Sequence, residues 1–151
     1  MTIIAEKIVF GGNSLAKIDG KNVFVPFAIP GETLEVQITK NYKDYDVAEI
    51  TSIINPSKHR VEPPCKYYKK CGGCNMLHID YDFQKKLRTQ ILSDLFLQQG
   101  IDVQNQIEII SGQNYNYRCR FQLNNGGLSE RSSNNIIPIE QCFCAEKKIN
   151  E

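Results

Sequence analysis

The chain has 151 residues, 41% hydrophobic and 23% charged, an ordinary globular composition that excludes disordered, collagen-like and low-complexity classes. No run approaches the ~18 apolar residues of a membrane span, and residues 1–6 lack a basic-then-apolar leader. A soluble, cytoplasmic monomer with no membrane partner is therefore expected. The net charge of +1 is unevenly spread: residues 1–64 carry −1, residues 65–92 carry +4 and residues 93–151 carry −2. Six cysteines without a secretion signal argue against a disulfide framework and for metal, cluster or redox chemistry.

The first 54 residues read as a small all-β unit. Strands are expected at Ile3–Phe10, Asn22–Ala28, Thr33–Lys40 and Asp46–Ile54, each with β-branched or aromatic residues in near alternation. Turn signals at Gly11-Gly12-Asn13, Asp19-Gly20 and Pro30-Gly31 separate them. This spacing suggests a small antiparallel barrel of the oligonucleotide-binding kind, or equally an SH3-like one. Residues 55–64 hold three prolines and no apolar period, which marks a linker or domain boundary. The predicted division is a barrel over 1–56 and a small α+β region over 57–151.

Tyr81–Gln99 carries Phe83, Leu87, Ile91 and Leu95 at i+4 steps, flanked by Leu92 and Phe96, the stripe of a packed amphipathic helix. Asp80 can cap its start and Gly100 its end. Further strands are expected at Ile107–Ser111, Tyr117–Leu123 and Asn135–Ile139, with a turn at Asn124-Asn125-Gly126-Gly127. Ala145–Glu151 reads as a short charged tail with no closing element. The expected fold class is thus mainly β with one long helix.

Cys65, Cys71 and Cys74 lie within ten residues, and Gly72-Gly73 separates the last two. Glycines there allow tight folding that brings backbone N–H groups to sulfur, as a metal or cluster knuckle requires. Cys142 or Cys144 can supply a fourth ligand. Zinc knuckles usually present paired C-x₂-C units, and one such pair is found here. A compact triplet plus a distant cysteine is closer to iron–sulfur usage, differing by one residue in its first gap from plant-type ferredoxins. His78 is either a zinc ligand or a structural hydrogen-bonder. Cys119, between Arg118 and Arg120, is expected to be a half-buried strand thiol.

Three blocks of this sequence resemble the N-terminal part of the bacterial uracil-5-methyltransferases that act on 23S ribosomal RNA. Residues 11–20, with Val23-Phe24-Val25-Pro26 and Ile29-Pro30-Gly31-Glu32, resemble the TRAM domain, an RNA-binding OB-like barrel. Cys65 to Cys74 with Leu77, His78 and Tyr81 resembles the family's cluster motif. Tyr117-Arg118-Cys119-Arg120 and Ile139-Glu140-Gln141-Cys142 resemble an RNA-facing strand and the fourth ligand. The resemblance implies a 4Fe–4S cluster on Cys65, Cys71, Cys74 and Cys142 in an iron–sulfur domain, and ribosomal RNA as partner. Cys144 matches no family position, and position 119 is usually polar in that strand motif.

Family members continue into a methyltransferase domain that holds S-adenosylmethionine, the nucleophilic cysteine and the base. No strand, glycine-rich loop and helix of nucleotide-binding type is found in this sequence, so the chain alone is expected not to methylate RNA.

RNA binding requires cations on one surface. Lys66, Lys69, Lys70, Lys85, Lys86 and Arg88 surround the cysteine loop and early helix, though a bound cluster of charge about −2 would halve their surplus. Tyr42 and Tyr45, with Lys43, sit at a loop tip where tyrosines can stack on bases and lysine can meet phosphate. The alternative for these tyrosines is barrel-edge packing. Tyr67 or Tyr68 can shield the cluster from water. Arg118 and Arg120, alternating along a strand, would share one face about 7 Å apart and offer forks suited to phosphate or guanine. Ion pairing within the protein is the alternative for both. Two other functional classes compete: a free-standing zinc- or cluster-bearing RNA-binding protein, and a ferredoxin-like electron carrier.

Overall fold

The computed structural model describes residues 1–103 and 106–151. The chain forms two compact units, residues 1–61 with 78–108, and residues 62–77 with 109–151.

The first unit is built on a six-stranded sheet: β1 (Thr2–Ile4), β2 (Lys7–Ile8), β3 (Asn13–Ile18), β4 (Lys21–Pro26), β5 (Thr33–Asn41) and β6 (Tyr45–Asn55). The strand order is β1-β5-β6-β4-β3-β2, antiparallel except for the parallel β4–β6 pair. The expected strand Ile3–Phe10 is in fact two strands broken at Ala5-Glu6, and the break has a topological purpose. β1 pairs with β5 at one edge and β2 pairs with β3 at the other. Two residues join them, so the sheet must curl until its edges meet. Ala5 N–H donates to Glu32 and Glu6 N–H donates to Leu15 across that seam. Closure removes the unpaired edges that an open sheet would expose.

β3 was not among the expected strands. Its inward residues are Ser14 and Ala16, both fully buried, so the apolar alternation that marks a strand is muted there. Small residues are tolerated because the Ser14 hydroxyl donates to the Ala28 carbonyl at 2.8 Å. The loop between β3 and β4 is the two-residue turn Asp19-Gly20, with φ of 49° and 80°, as a primed hairpin turn demands. Inside, Ile3, Val23, Val25, Leu34, Val36 and Ala48 form the apolar core.

Residues 57–61 are not a free linker. Glu32 on β5's approach is fully buried, and Arg60 grips it with Nε to Oε1 and Nη2 to Oε2, both at 2.6 Å. Glu32 also accepts the Ser57 and Ile29 N–H groups. Burial pushes the Glu32 carboxyl up, but the Arg60 guanidinium and these N–H donors outweigh it and hold the group below its ordinary value. Arg60 bridges to Ile79, and Val61 N–H donates to the His78 carbonyl, which brings the chain to the start of α1 (Tyr81–Gln98).

The helix begins and ends where its caps predict. Asp80 accepts from the Phe83 N–H at 2.8 Å and holds His59 Nδ1 at 2.6 Å, while the His59 ring stacks on Phe83. Gly100 takes φ +77°, with Gly100 N–H to Leu97 and Ile101 N–H to Phe96, a Schellman stop. The expected packed stripe holds for half the helix only. Leu87 is buried, whereas Leu92, Leu95 and Phe96 are 38–42% exposed. No helix is long and apolar enough to cross a membrane among the described residues.

The second unit contains the β7–β8 hairpin (Gly127–Ser129 and Ile136–Pro138) and a short 3₁₀ turn at Lys147–Ile149. A two-residue turn, Asn125 (φ 48°) and Gly126 (φ 76°), precedes β7, with Asn124 and Gly127 exchanging both N–H···O bonds. The strands expected at Ile107–Ser111 and Tyr117–Leu123 are absent. Propensity cannot supply a ladder partner, and the latter segment makes one isolated bridge, Arg118 to Ala145. The expected open tail is also corrected: Ala145 is fully buried and Asn150 returns to bond the Cys142 backbone twice.

Candidate metal centre and nucleic-acid interface

Local hydrogen bonds shape the first cysteine segment. Tyr68 N–H donates to Cys65, and Lys70 and Cys71 N–H both donate to Tyr67. Lys69 completes the bend with φ 72°. Gly72 then donates to Ser129, Arg131 N–H donates to Lys70, and the Arg131 guanidinium binds the Cys74 carbonyl and Asn75. Arg131 was not singled out in the sequence; the partners it ties together lie more than 50 residues away, so no local signal marks it. Gly73 N–H reaches the Cys71 sulfur at 3.4 Å, the backbone-to-sulfur contact expected of the Gly-Gly pair.

The second segment is a tight turn, closed by Ala145 N–H to the Cys142 carbonyl. The Cys142 sulfur accepts N–H groups from Cys144 and Ala145, although burial pushes its pKa above the ordinary value. The two segments meet at one cavity of about 490 Å³, lined by Cys65, Cys71, Cys74, Cys142 and Cys144. Tyr67, Tyr68, Leu77, Phe121, Leu128 and Ile139 supply much of the remaining wall. The fifth cysteine, Cys144, is the most buried of the set at 5% exposure, and its sulfur lies 3.6 Å from that of Cys74. The pair shares a proton. Either sulfur can donate in this contact; the Cys74 thiol is pushed up, first by that bond and then by burial. Cys144 is drawn down to about 6, first by its contact with Cys74, against burial, with hydrogen bonds to Tyr117 and Cys142 acting the same way.

Among the described residues, no three His, Cys, Asp or Glu side chains converge closely enough to hold a single metal ion. The thiols instead line the wall of a cavity. His78 is buried in the first unit, edge-on to Phe27, and is not among the residues lining the cavity.

Of the residues expected to face RNA, Tyr42 and Tyr45 flank the β5–β6 turn and stack on each other, centroids 4.7 Å apart and planes 27° apart. Tyr45 also meets Phe24 edge-on. Both tyrosines keep about two-fifths of their surface exposed (44% and 37%), and Lys43 between them is exposed. Lys69 and Lys70 are exposed on the cysteine loop; Lys66 pairs with Glu140 at 2.6 Å on an open surface. Because residues 117–123 are not a strand, Arg118 and Arg120 do not gain a common face from alternation. Arg118 lines the cavity and covers the Phe121 ring, while Arg120 is exposed. Cys119 is exposed as well, not half-buried as expected, for want of the same ladder.

Residues 2–51 match the TRAM domain family. Along nearly its whole length the chain is similar to larger proteins. It is 34% identical to an uncharacterized RNA methyltransferase of Aquifex aeolicus, over 100% of this chain and 37% of that protein. It is 39% identical to another from Clostridium tetani, over 93% and 32%, and 32% identical to the 23S rRNA (uracil(1939)-C(5))-methyltransferase RlmD of Chromohalobacter salexigens, again over 93% and 32%. The fold is like that of the Pyrococcus abyssi tRNA (uracil-54, C5)-methyltransferase crystallised with S-adenosyl-L-homocysteine, with a TM-score of 0.64 at 21% identity, over 98% of this chain and 34% of that one. The chain spans about a third of the length of these relatives. It carries a TRAM domain and is homologous to a portion of the RlmD-type 23S rRNA uracil-C5 methyltransferases.

Proposed function

We propose that this chain is the RNA-recognition portion of an S-adenosylmethionine-dependent RNA uracil-C5 methyltransferase acting on 23S ribosomal RNA, and that it carries a structural 4Fe–4S cluster. The observation that carries the reading is the gathering of Cys65, Cys71 and Cys74 with Cys142 around one cavity, in a chain that also bears a TRAM domain. Methyl transfer itself is assigned to the part of the relatives that this chain does not cover.

The donor set suits a cluster. Thiols spread around a cavity can reach different corners of a multi-iron core, and backbone N–H groups already point at the Cys71 and Cys142 sulfurs, the polarity that thiolate ligands require. Cys65, Cys71, Cys74 and Cys142 would hold such a cluster, which would supply cross-links between the two cysteine segments. Tyr67 and Tyr68 line the cavity, and one of them would shield a bound cluster from water. Cys65, Cys71 and Cys74 hold the first segment, and Cys142 ties it to the turn that Asn150 secures.

RNA is engaged at the barrel through Tyr42, Tyr45 and Lys43, and near the cysteine loop through Lys66, Lys69, Lys70, Arg118 and Arg120. The stacked tyrosine pair presents a ready platform for an unpaired base. Fluorescence anisotropy with a uridine-containing 23S stem-loop tests this. Binding should weaken steeply with salt, and Tyr42→Ala should cost about five- to 150-fold in affinity, the range of one lost base stack. Lys43→Ala should weaken binding evenly across sequences and flatten the salt slope by about one unit. Binding that is absent, or indifferent to both changes, overturns the RNA reading. Anaerobically purified protein should contain four irons and four sulfides per chain; stoichiometric zinc without sulfide would replace the cluster with a zinc site.

A further inference from the structure

A cubane needs four protein ligands, and five thiols line this cavity. The excess thiol is Cys144, which no family position accounts for. It stands two residues beyond Cys142 in a turn held at both ends: Ala145 N–H bonds the Cys142 carbonyl, and Asn150 bonds the Cys142 backbone in both directions. Both thiols of that turn therefore face one cavity. Cys144 is buried, and its sulfur approaches that of Cys74 to 3.6 Å, so it already sits beside a member of the ligand set. Cys119, the sixth cysteine, is exposed and lies outside the cavity.

We propose that Cys144 is a second occupant of the fourth ligand position, able to hold the cluster in place of Cys142. This rests on the cluster reading above. The exchange is a simple ligand substitution. An iron–sulfur bond to Cys142 would be replaced by one to Cys144, whose thiol proton would pass to the released Cys142 thiolate; no electron moves. The turn can make the exchange with little backbone motion because both thiols leave it toward the same space.

The test is anaerobic reconstitution of the full chain with ferrous iron and sulfide, followed by iron and sulfide counts and electron paramagnetic resonance. Cys142→Ala, Cys144→Ala and the control Cys119→Ala should each retain four irons and four sulfides. Cys142→Ala together with Cys144→Ala should hold three irons or fewer and show the paramagnetic signal of an oxidised three-iron cluster. A Cys142→Ala protein that loses iron as the double variant does, beside an unaffected Cys144→Ala, overturns the proposal while leaving the cluster reading intact. Cys142→Ser, of nearly the same shape, repeats the measurement if the alanine variant does not fold. Wild-type protein that takes up no iron and sulfide removes the cluster reading and this proposal together.

Discussion

The two units are stabilised by different means. The barrel unit buries Ile3, Val23, Val25, Leu34 and Val36 in a closed sheet, and apolar burial at roughly 25 cal/mol per Å² supports it directly. In the cysteine unit, Met76, Cys144 and Ala145 are the buried apolar side chains among the described residues, the ladder is one three-residue hairpin, and a cavity of about 490 Å³ is lined with five thiols. A core that small contributes little apolar burial, so under the proposed cluster reading this unit would draw its order from cross-links through its thiols. One chain thus pairs a unit with a broad apolar core with a unit that buries few apolar side chains and lines a cavity with thiols.

The sharpest way to break that contrast is Cys74→Ser. Amide hydrogen exchange should show protection lost by orders of magnitude across residues 62–77 and 109–151, with residues 1–61 and 78–108 unchanged. Uniform protection throughout would show that the thiols are not needed for order.

The barrel unit has its own vulnerable point in the Glu32–Arg60 pair. Arg60→Ala leaves a buried carboxylate without its partner, which costs about 3–5 kcal/mol, read as faster exchange in β4 and β5. The pH dependence has a definite sign. The folded Glu32 pKa lies below its ordinary 4.5, so its contribution is complete above that value and is lost as pH falls through the lower, folded one. Glu32→Gln should flatten that acid limb of a urea-midpoint profile.

In the cysteine unit, a side chain on Gly127 would come within 2.2 Å of the Ile137 carbonyl oxygen. Gly127→Ala must displace backbone and should destabilise the hairpin by about 1–3 kcal/mol, the usual range for overpacking, visible as lost protection in β8 with the barrel unaffected. The smallest effect is expected at the helix cap. Asp80→Ala should cost about 1 kcal/mol in the unfolding free energy of the first unit, and it also frees His59.

Legibility followed the range of the interactions. The Asp19-Gly20 turn, the start and stop of α1, and the contact of Gly73 with the Cys71 sulfur all depend on neighbours within a few residues. Each was readable from local residue chemistry. The strand β3 was not, because its inward positions are small and its apolar alternation is weak. Tyr117–Leu123 read as a strand from composition, yet it finds one bridge and no ladder, so the geometry expected of Arg118 and Arg120 fails with it. The buried Glu32 sits in a block that resembled a family motif, but its partner Arg60 lies 28 residues away, beyond any pattern window.

By itself, the amino-acid sequence determined where the chain turns, where the helix is capped, and that three thiols and their nearby backbone N–H groups gather within residues 65–74, because these follow from backbone preferences and side-chain reach over one or two turns. Tertiary structure alone decided that β1 and β2 close the sheet from opposite edges, that Asn150 secures the Cys142 turn, and that Cys144 rather than Cys119 joins the thiol-lined cavity. Those outcomes depend on which distant segments supply the missing hydrogen-bond partners and packing, and that is settled only when the whole chain folds.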